Sequence, residues 1–291
     1  MTKYEESQSK ARILMEALPY VRRFRGSIFV VKYGGSFMDS PDPEVRAGVA
    51  KDLVFLNFVG IKVVVVHGGG KAITRELKQR GIQAQFIDGL RVTDHKTIDA
   101  VDSILNIQVN REVAGFISSH DCDVERFPGK QVLTCVKLPS QKELGFVGQV
   151  TQVNNSPIIQ ALDQGKIPVL STTASDVEGI CYNVNADDVA SKVAIELKAR
   201  RLVYLSDVPG LLRDPNDSNS LLSSLAVDEV APLKQEGIIS SGMLPKVNSA
   251  VQALEAGVNR VHFIDGRLPH SILLEIFTDE GIGTEIIHAR K

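Results

Sequence analysis

Two apolar runs decide what this chain can become. IFVV at residues 28–31 leads into Lys32-Tyr33-Gly34-Gly35-Ser36, and VVVV at residues 63–66 leads into His67-Gly68-Gly69-Gly70-Lys71. Four apolar residues without alternation fit a strand buried on both faces, which belongs in a parallel sheet covered by helices. Between the runs, Val45, Val49, Leu53 and Leu56 recur at helical spacing and Gly60 closes the segment, so the unit reads β-α-β.

The same grammar continues. The pattern predicts a helix over 71–80 that ends at Gly81, and one over 96–117 with Ile98, Val101, Leu105, Val109, Val113 and Phe116 facing inward. Residues 131–153 alternate and carry Gly145 and Gly148, as a β-hairpin or small antiparallel excursion would. Strands are then expected at 167–170, 202–205, 260–264 and 283–287, with helices over 187–198, from near Pro245, and over 270–277. Residues 214–220 read as a flexible loop. Ahead of the first strand, Ile13, Leu14, Ala17, Leu18 and Val21 form a helical stripe that Pro19 should kink or break. Periodicity leaves open whether this stripe packs on the main body or forms an arm on another subunit.

With 291 residues, 43% hydrophobic and 23% charged, there is material for a large core. A net charge of −2 argues against a nucleic-acid surface and points to small-molecule partners. Cys122, Cys135 and Cys181 are odd in number and lack C-x-x-C spacing, so a reducing, cytoplasmic setting is expected. Neither a targeting segment nor a membrane span is expected.

In open parallel sheets ligands sit beyond the carboxyl ends of the strands, where both glycine clusters fall. Glycine lets the backbone approach a ligand and turn N–H groups toward it, and a following helix adds a field favourable to negative charge. One such pair reads as a tight turn. Two on adjacent units, with Lys32 at a strand's end, point to an anion, and phosphate is the natural candidate. Neither cluster is G-x-x-x-x-G-K-[ST] or G-x-G-x-x-G, so a Walker-type nucleotidase and a dinucleotide dehydrogenase lose support. Charge comes from DGLRVTD (88–94) with Arg91, NVNAD (183–187) with Asn183 and Asp187, and GMLPK (242–246) with Lys246. Singly, these read as a surface ion pair, an N-cap and a solvated lysine. Together they complement one another: phosphoryl transfer to an anionic acceptor needs cations over the phosphates, a cation for the acceptor and a carboxylate that holds the cations in place.

These residues resemble the amino-acid-kinase superfamily and, within it, the N-acetyl-L-glutamate kinases of arginine biosynthesis. The resemblance runs from Ile13 onward and is carried by VVKYGGS, VVVVHGGG, DGLRVTD, YNVNAD, SDVPGLL, GMLPKV and HFIDGRLPHSILLEIFTDEGIGTEI. It implies an α/β fold, a three-layer αβα sandwich with a central mainly parallel sheet of about eight strands. An arm would occupy residues 1–25, an acyl-amino-acid lobe 26–170 and an ATP lobe 171–291. It implies phosphorylation of the side-chain carboxylate of N-acetyl-L-glutamate by ATP, with Mg²⁺ bound through the nucleotide's phosphates and no side-chain metal site. Lys32 and Lys246 would stabilise the transferring group and Asp187 would orient both. Gly34, Gly35 and Gly68 would approach the phosphates, while Gly69, Gly70, Arg91 and Asn183 would hold the acceptor. Ser206, Asp207, Gly210 and Gly242 would border the nucleotide.

Three departures stand out. Lys71 replaces the proline usual after HGGG, STTA at 171–174 replaces a more apolar stretch, and Ser241 stands where glycine is common. The alternative activity is that of a superfamily kinase acting on another carboxylate or on carbamate. A non-catalytic sensor would have lost Lys32, Lys246 or Asp187, and all three are present. The N-terminal helix resembles that of arginine-inhibited members built as rings of dimers. The resemblance therefore implies a homo-oligomer and L-arginine as a ligand, with Glu275 on its guanidinium and Tyr20, His262 and Gly281 completing the pocket. Residue physics alone reads Tyr20 and His262 as packing and Glu275 as solvated. Nothing in the sequence indicates a nitrogen-signalling regulator protein as a partner.

Overall fold

The computed structural model describes residues 3–34, 43–239 and 242–288, so Gly35 and Ser241 lie outside the described residues. Helix α1 (Lys3–Phe24) leads into β1 (Ile28–Tyr33), α2 (Pro43–Phe58) and β2 (Lys62–His67). The two strands pair in parallel from Ile28↔Lys62 to Tyr33↔His67, and residues 29–31 and 63–66 are 0% exposed. That is the two-sided burial the apolar runs require.

The chain then winds away from this pair. Helix α3 (Gly70–Gln79), the hairpin β3 (Phe86–Ile87) and β4 (Leu90–Arg91), α4 (His95–Ser103) and α5 (Asn110–Ser118) lead to the edge strand β5 (Val124–Phe127). An antiparallel pair, β6 (Leu133–Lys137) and β7 (Val147–Val153), and α6 (Ser156–Asp163) precede β8 (Ile167–Leu170), which lies between β2 and β5. Strands β9 (Thr173–Ser175) and β10 (Cys181–Val184) close a small barrel of order β10-β7-β6-β9. Helix α7 (Ala186–Glu196) crosses to β11 (Arg201–Ser206), on the opposite side of β1. Finally β12 (Ser224–Ala226), α8 (Val227–Gln235), α9 (Met243–Glu255), β13 (Arg260–Asp265), α10 (Ser271–Ile276) and β14 (Thr284–Ile287) complete an eight-stranded sheet, β12-β14-β13-β11-β1-β2-β8-β5. Every neighbouring pair in it is parallel except β13 and β14.

Alternate residues of each strand feed opposite faces. Val30, Val64 and Leu202 pack with Val189, Val193 and Ala250 on one side, and Phe29, Val63 and Val203 pack with Leu53, Val101 and Ile272 on the other. The winding reverses at β1 and β11, so the ligand crevice of such a sheet opens beyond their carboxyl ends.

Several local expectations change. Residues 96–117 form two α-helices joined by a π-helical turn, Ile104–Val109. The inward positions Val101, Leu105, Val109 and Val113 step by four, which an α-helix would carry round by about 40° each time, and the wider turn absorbs the drift. Beyond it Ile117 is buried and Phe116 only half-buried, reversing the expected inward side chain. Helix α1 continues through Pro19. The carbonyl that loses its donor belongs to Met15, a residue 65% exposed, where water can replace the bond. Ile13 and Leu14 of the expected stripe are 60% and 70% exposed, whereas Phe24 is buried. Strands β5, β9, β10 and β12 and helices α6 and α8 lie where the residue pattern predicts no element. No helix among the described residues is long and apolar enough to cross a membrane.

Strand β2 ends in His67, which is 0% exposed. Its Nδ1 lies 2.9 Å from the Gly68 carbonyl and its Nε2 3.1 Å from Nδ2 of Asn110. A carbonyl only accepts, so Nδ1 carries the proton and Nε2 accepts from Asn110. Burial lowers the His67 pKa to about 4. An unfolded histidine titrates near 6.5, so as pH falls the unfolded chain takes up the proton first. The stability due to neutral His67 is therefore complete above about pH 6.5 and is lost as the pH falls toward 4, about 2 kcal/mol of it by pH 5. Urea unfolding at pH 7 and pH 5 should show a pH-dependent loss that shrinks by about that amount in His67→Asn; an unchanged difference between wild type and variant would contradict the assignment.

Candidate active site

A cleft of about 1120 Å³ opens beyond β1 and β2, and its lining includes Lys32, Gly34, Gly68, Gly69, Gly70, Arg91, Asn183 and Asp187. Lys32 projects from the end of β1. Asp187 stands on the first turn of α7, whose N-cap residue Asn185 accepts from the Asp187 N–H at 2.7 Å and the Asp188 N–H at 3.4 Å. Tyr204 of β11, stacked on Phe263 with ring centroids 5.2 Å apart, donates to the Asp187 carbonyl at 3.2 Å. Helices α7 and α9 pack together, with Ser191 Oγ donating to the Ser249 carbonyl at 3.0 Å, and this brings Lys246 over the same carboxylate.

The three charges meet there. Lys246 Nζ donates to Asp187 Oδ2 at 2.7 Å, and Lys32 Nζ lies 3.0 Å from Oδ1 as an ion pair outside hydrogen-bond geometry. The side chains of Lys32 and Asp187 are each 10% exposed and that of Lys246 20%. Burial pushes the Asp187 carboxyl upward, but the two ammonium groups outweigh it and hold the pKa below the ordinary value. Burial, aided by the charge of Lys246, lowers the pKa of Lys32 despite Asp187. Two cations on one anion leave a surplus positive charge in a poorly screened place.

The opposite wall begins with a two-residue turn. Asp88 and Gly89 both have positive φ, 52° and 79°, the geometry of a type I′ hairpin, and the turn sets Phe86 opposite Arg91. The Arg91 guanidinium lies 4.6 Å from the Phe86 ring centroid, and its Nη2 donates to the Gly70 carbonyl and to Thr74 Oγ1, both at 2.8 Å. Arg91 is 6% exposed, yet its Nη1 has no hydrogen-bond partner. Burial lowers its pKa. Asn183 of β10 donates to Thr93 Oγ1 at 3.3 Å, and that hydroxyl donates to the Arg91 carbonyl at 2.9 Å. A Cβ would crowd two of the glycines: on Gly34 it would fall 2.9 Å from Lys32 Nζ, and on Gly69 2.5 Å from Leu105 Cδ2.

Ser206, Asp207, Gly210 and Gly242 do not line this cleft. Ser206 Oγ bonds the Val208 carbonyl at 3.2 Å. Gly210, at φ 150°, is pressed on Thr284, whose Oγ1 would lie 2.5 Å from a Cβ, so packing accounts for that glycine. Tyr20, His262, Glu275 and Gly281 instead share a second cavity, of about 690 Å³, with Arg201 and Arg260. Glu275 Oε1 is 2.7 Å from His262 Nδ1, and Oε2 accepts from the N–H groups of Ile282 at 2.8 Å and Gly283 at 2.9 Å. Burial raises the Glu275 pKa, but His262 and these N–H groups more than reverse that and leave it lowered. Tyr20 donates to Asp279.

The N-cap read in the NVNAD segment is Asn185, but sequence reasoning missed the supporting roles of Tyr204, Thr74, Thr93, His67 and Asn110. The Asp-Gly pair at 88–89 was a usable hairpin signal; Tyr204, in an apolar strand, and Asn110, in a mixed helical segment, carried none, since each acts across the fold.

The amino acid kinase family matches residues 27–265. The chain is 45% identical over 284 residues to acetylglutamate kinase of Syntrophomonas wolfei, covering 97% of this chain and 98% of that one. It is 44% identical over 295 residues to acetylglutamate kinase of Carboxydothermus hydrogenoformans, with 98% and 99% covered. Among solved structures, N-acetylglutamate synthase of Neisseria gonorrhoeae, in complex with coenzyme A and N-acetyl-glutamate, superposes with a TM-score of 0.85 at 25% identity, covering 97% of this chain and 64% of that longer one. With its fold, its paired glycine loops and this full-length kinship in agreement, the chain belongs to the amino acid kinase family.

Proposed function

We propose that the protein transfers the γ-phosphoryl group of ATP to the side-chain carboxylate of N-acetyl-L-glutamate. The observation that carries this reading is one cleft with Lys32 and Asp187 on one wall, Lys246 bonded to Asp187 behind that wall, and a buried, partly unpaired arginine on the other. The full-length kinship to acetylglutamate kinases supports it. The acceptor is already an anion, so no base is needed: its carboxylate oxygen attacks the γ-phosphorus and the bond to the β,γ-bridging oxygen breaks, leaving ADP and an acyl phosphate.

Lys32 and Lys246 stabilise the charge spread over the transferring group, and Asp187 holds both ammonium groups in place without acting as a base. Gly34, Gly35 and Gly68 admit the phosphates at close range; Ser206, Asp207, Gly210 and Gly242 border the rest of the nucleotide. Arg91 pairs with the acceptor's α-carboxylate through Nη1, and Gly69, Gly70 and Asn183 complete its site. Residues 26–170 thus form the acceptor lobe and 171–291 the nucleotide lobe, with Asn183 reaching across. Among the described residues no group of three or more His, Cys, Asp or Glu could hold a metal ion, and Asp187 is engaged by two lysines. This donor set fits Mg²⁺ carried on the nucleotide's phosphates, where the ion would supply charge neutralisation.

The second cavity, where Arg23, Arg201 and Arg260 also stand and Glu285 pairs with Arg260, offers Asp279 and Glu280 beside Glu275 as anions for a cationic ligand and on that ground supports regulation by L-arginine. The exposed apolar stripe of α1 supports a homo-oligomer joined through the arm, residues 1–25. We place the enzyme in the cytoplasm.

Lys32→Ala and Lys246→Ala should each lower kcat by on the order of 10²–10³ with smaller effects on the acceptor KM; in a coupled ADP-release assay, a kcat within a few-fold of wild type removes that lysine from its role. Arg91→Lys keeps the charge but not the planar fork, so the acceptor KM should rise about tenfold or more while the ATP KM stays within about threefold. Equal weakening of both substrates would move Arg91 out of the acceptor site. Finally, L-arginine should raise the half-saturating acceptor concentration. Deleting residues 1–18, which spares the buried Phe24, should convert a hexamer to dimers with activity retained. Light scattering with activity titration reads both, and a full-length dimer indifferent to arginine removes this regulation.

A further inference from the structure

The proposed reaction gives work to Gly69 but leaves its orientation unexplained. Gly68, Gly69 and Gly70 follow one another, and a peptide plane flanked by glycines is the least determined by its own sterics. Something outside the loop must choose which way it faces. No peptide bond among the described residues is cis, so the Gly68 carbonyl and the Gly69 N–H point in opposite directions.

The Gly68 carbonyl accepts from His67 Nδ1 at 2.9 Å, and that ring is 0% exposed, so the carbonyl is drawn toward the protein interior. The Gly69 N–H is thereby turned to the cleft side, where Gly69 forms part of the wall and no described residue accepts from it. The ring is itself held. Asn110, the residue after the π-helical turn, directs Nδ2 to His67 Nε2 at 3.1 Å and donates to the Val169 carbonyl of β8 at 3.0 Å. An acceptor beside Nδ2 leaves Nε2 unprotonated and Nδ1–H as the donor.

We infer that His67, anchored by Asn110, is a positioning residue that aims the Gly69 N–H at the reacting carboxylate of the acceptor. This rests on the phosphoryl transfer proposed above. The chemistry is electrostatic: a fixed N–H stabilises charge on an oxygen without having to reorganise as the reaction proceeds. His67 touches neither substrate and exchanges no proton.

Two replacements separate orientation from packing. His67→Asn places an amide donor near the Nδ1 position, whereas His67→Gln places it near Nε2, out of reach of the Gly68 carbonyl. With the full chain, ATP and N-acetyl-L-glutamate, His67→Gln should lower kcat by about 10- to 100-fold with both KM values within about threefold, and His67→Asn should stay within about fivefold of wild type. Thermal unfolding checks that both variants fold. Separately, ¹⁵N spectra of the wild type should show the Nδ1–H tautomer for His67, and the Gly69 amide resonance should move on adding N-acetyl-L-glutamate in wild type and much less in His67→Gln. A folded His67→Gln with wild-type kcat, or an Nε2–H tautomer, overturns the inference. A wild-type chain that releases no ADP overturns the reaction instead, and the tautomer then decides the orientation on its own.

Discussion

Asp187 carries two ammonium groups on one buried carboxylate, and each partner arrives by a separate crossover: Lys32 from β1, Asp187 from α7, Lys246 from α9. Burying ions costs several kcal/mol apiece, and mutual attraction does not reliably offset it. Stability is therefore a poor explanation for the cluster. What it creates is a surplus cation, fixed in place and shielded from water, that an incoming polyanion can neutralise. The sheet order delivers this arrangement: the winding reverses at β1, and the elements on its two sides set residues 32, 187 and 246 against one another.

Around that point the cleft divides its work between charge and geometry. Lys32 and Arg91 supply charge at its two walls, with Lys246 bonded to Asp187 behind the first, and the uncharged backbone of the glycine loops completes the lining. Arg91 shows how direction is enforced on a long side chain: Phe86 stacks on it, Gly70 and Thr74 accept from one nitrogen, and the other is left for a ligand. A guanidinium restrained on several sides loses little further freedom on binding.

Much of the frame was legible because burial leaves a period in the sequence. IPVL at 167–170 emerged as β8 with the expected ends, and the runs before the two glycine clusters became adjacent parallel strands. The rest was hidden for physical reasons. The π-helical turn comes from a stack of four-residue steps that also looks like an ordinary helix, and the small barrel joins the antiparallel pair expected over 131–153 to β9 and β10, strands of three and four residues, through pairings distant in sequence. The site was legible in kind but not in arrangement: charge requirements selected Lys32, Lys246, Arg91 and Asp187, yet their meeting across sequence gaps came from family resemblance. The apolar stripe on α1 was legible too, though its exposure was not, since period alone cannot say what covers a face.

The chain holds a second buried carboxylate with a basic partner, and the contrast with Asp187 is instructive. At Glu275 one oxygen faces His262 and the other takes two backbone N–H groups, so donors surround it. At Asp187 the balance runs the other way, with more cation than one carboxylate can neutralise. Only Asp187's arrangement calls for an added anion. A ligand entering the second cavity finds Glu275 with little acceptor capacity left and Glu285 paired with Arg260, so a guanidinium there would draw chiefly on Asp279 and Glu280 at the rim. Rim charges are screened by salt in a way that buried ones are not. Binding of a cation at the second cavity should therefore weaken with ionic strength more steeply than binding of an anion at the buried lysine cluster.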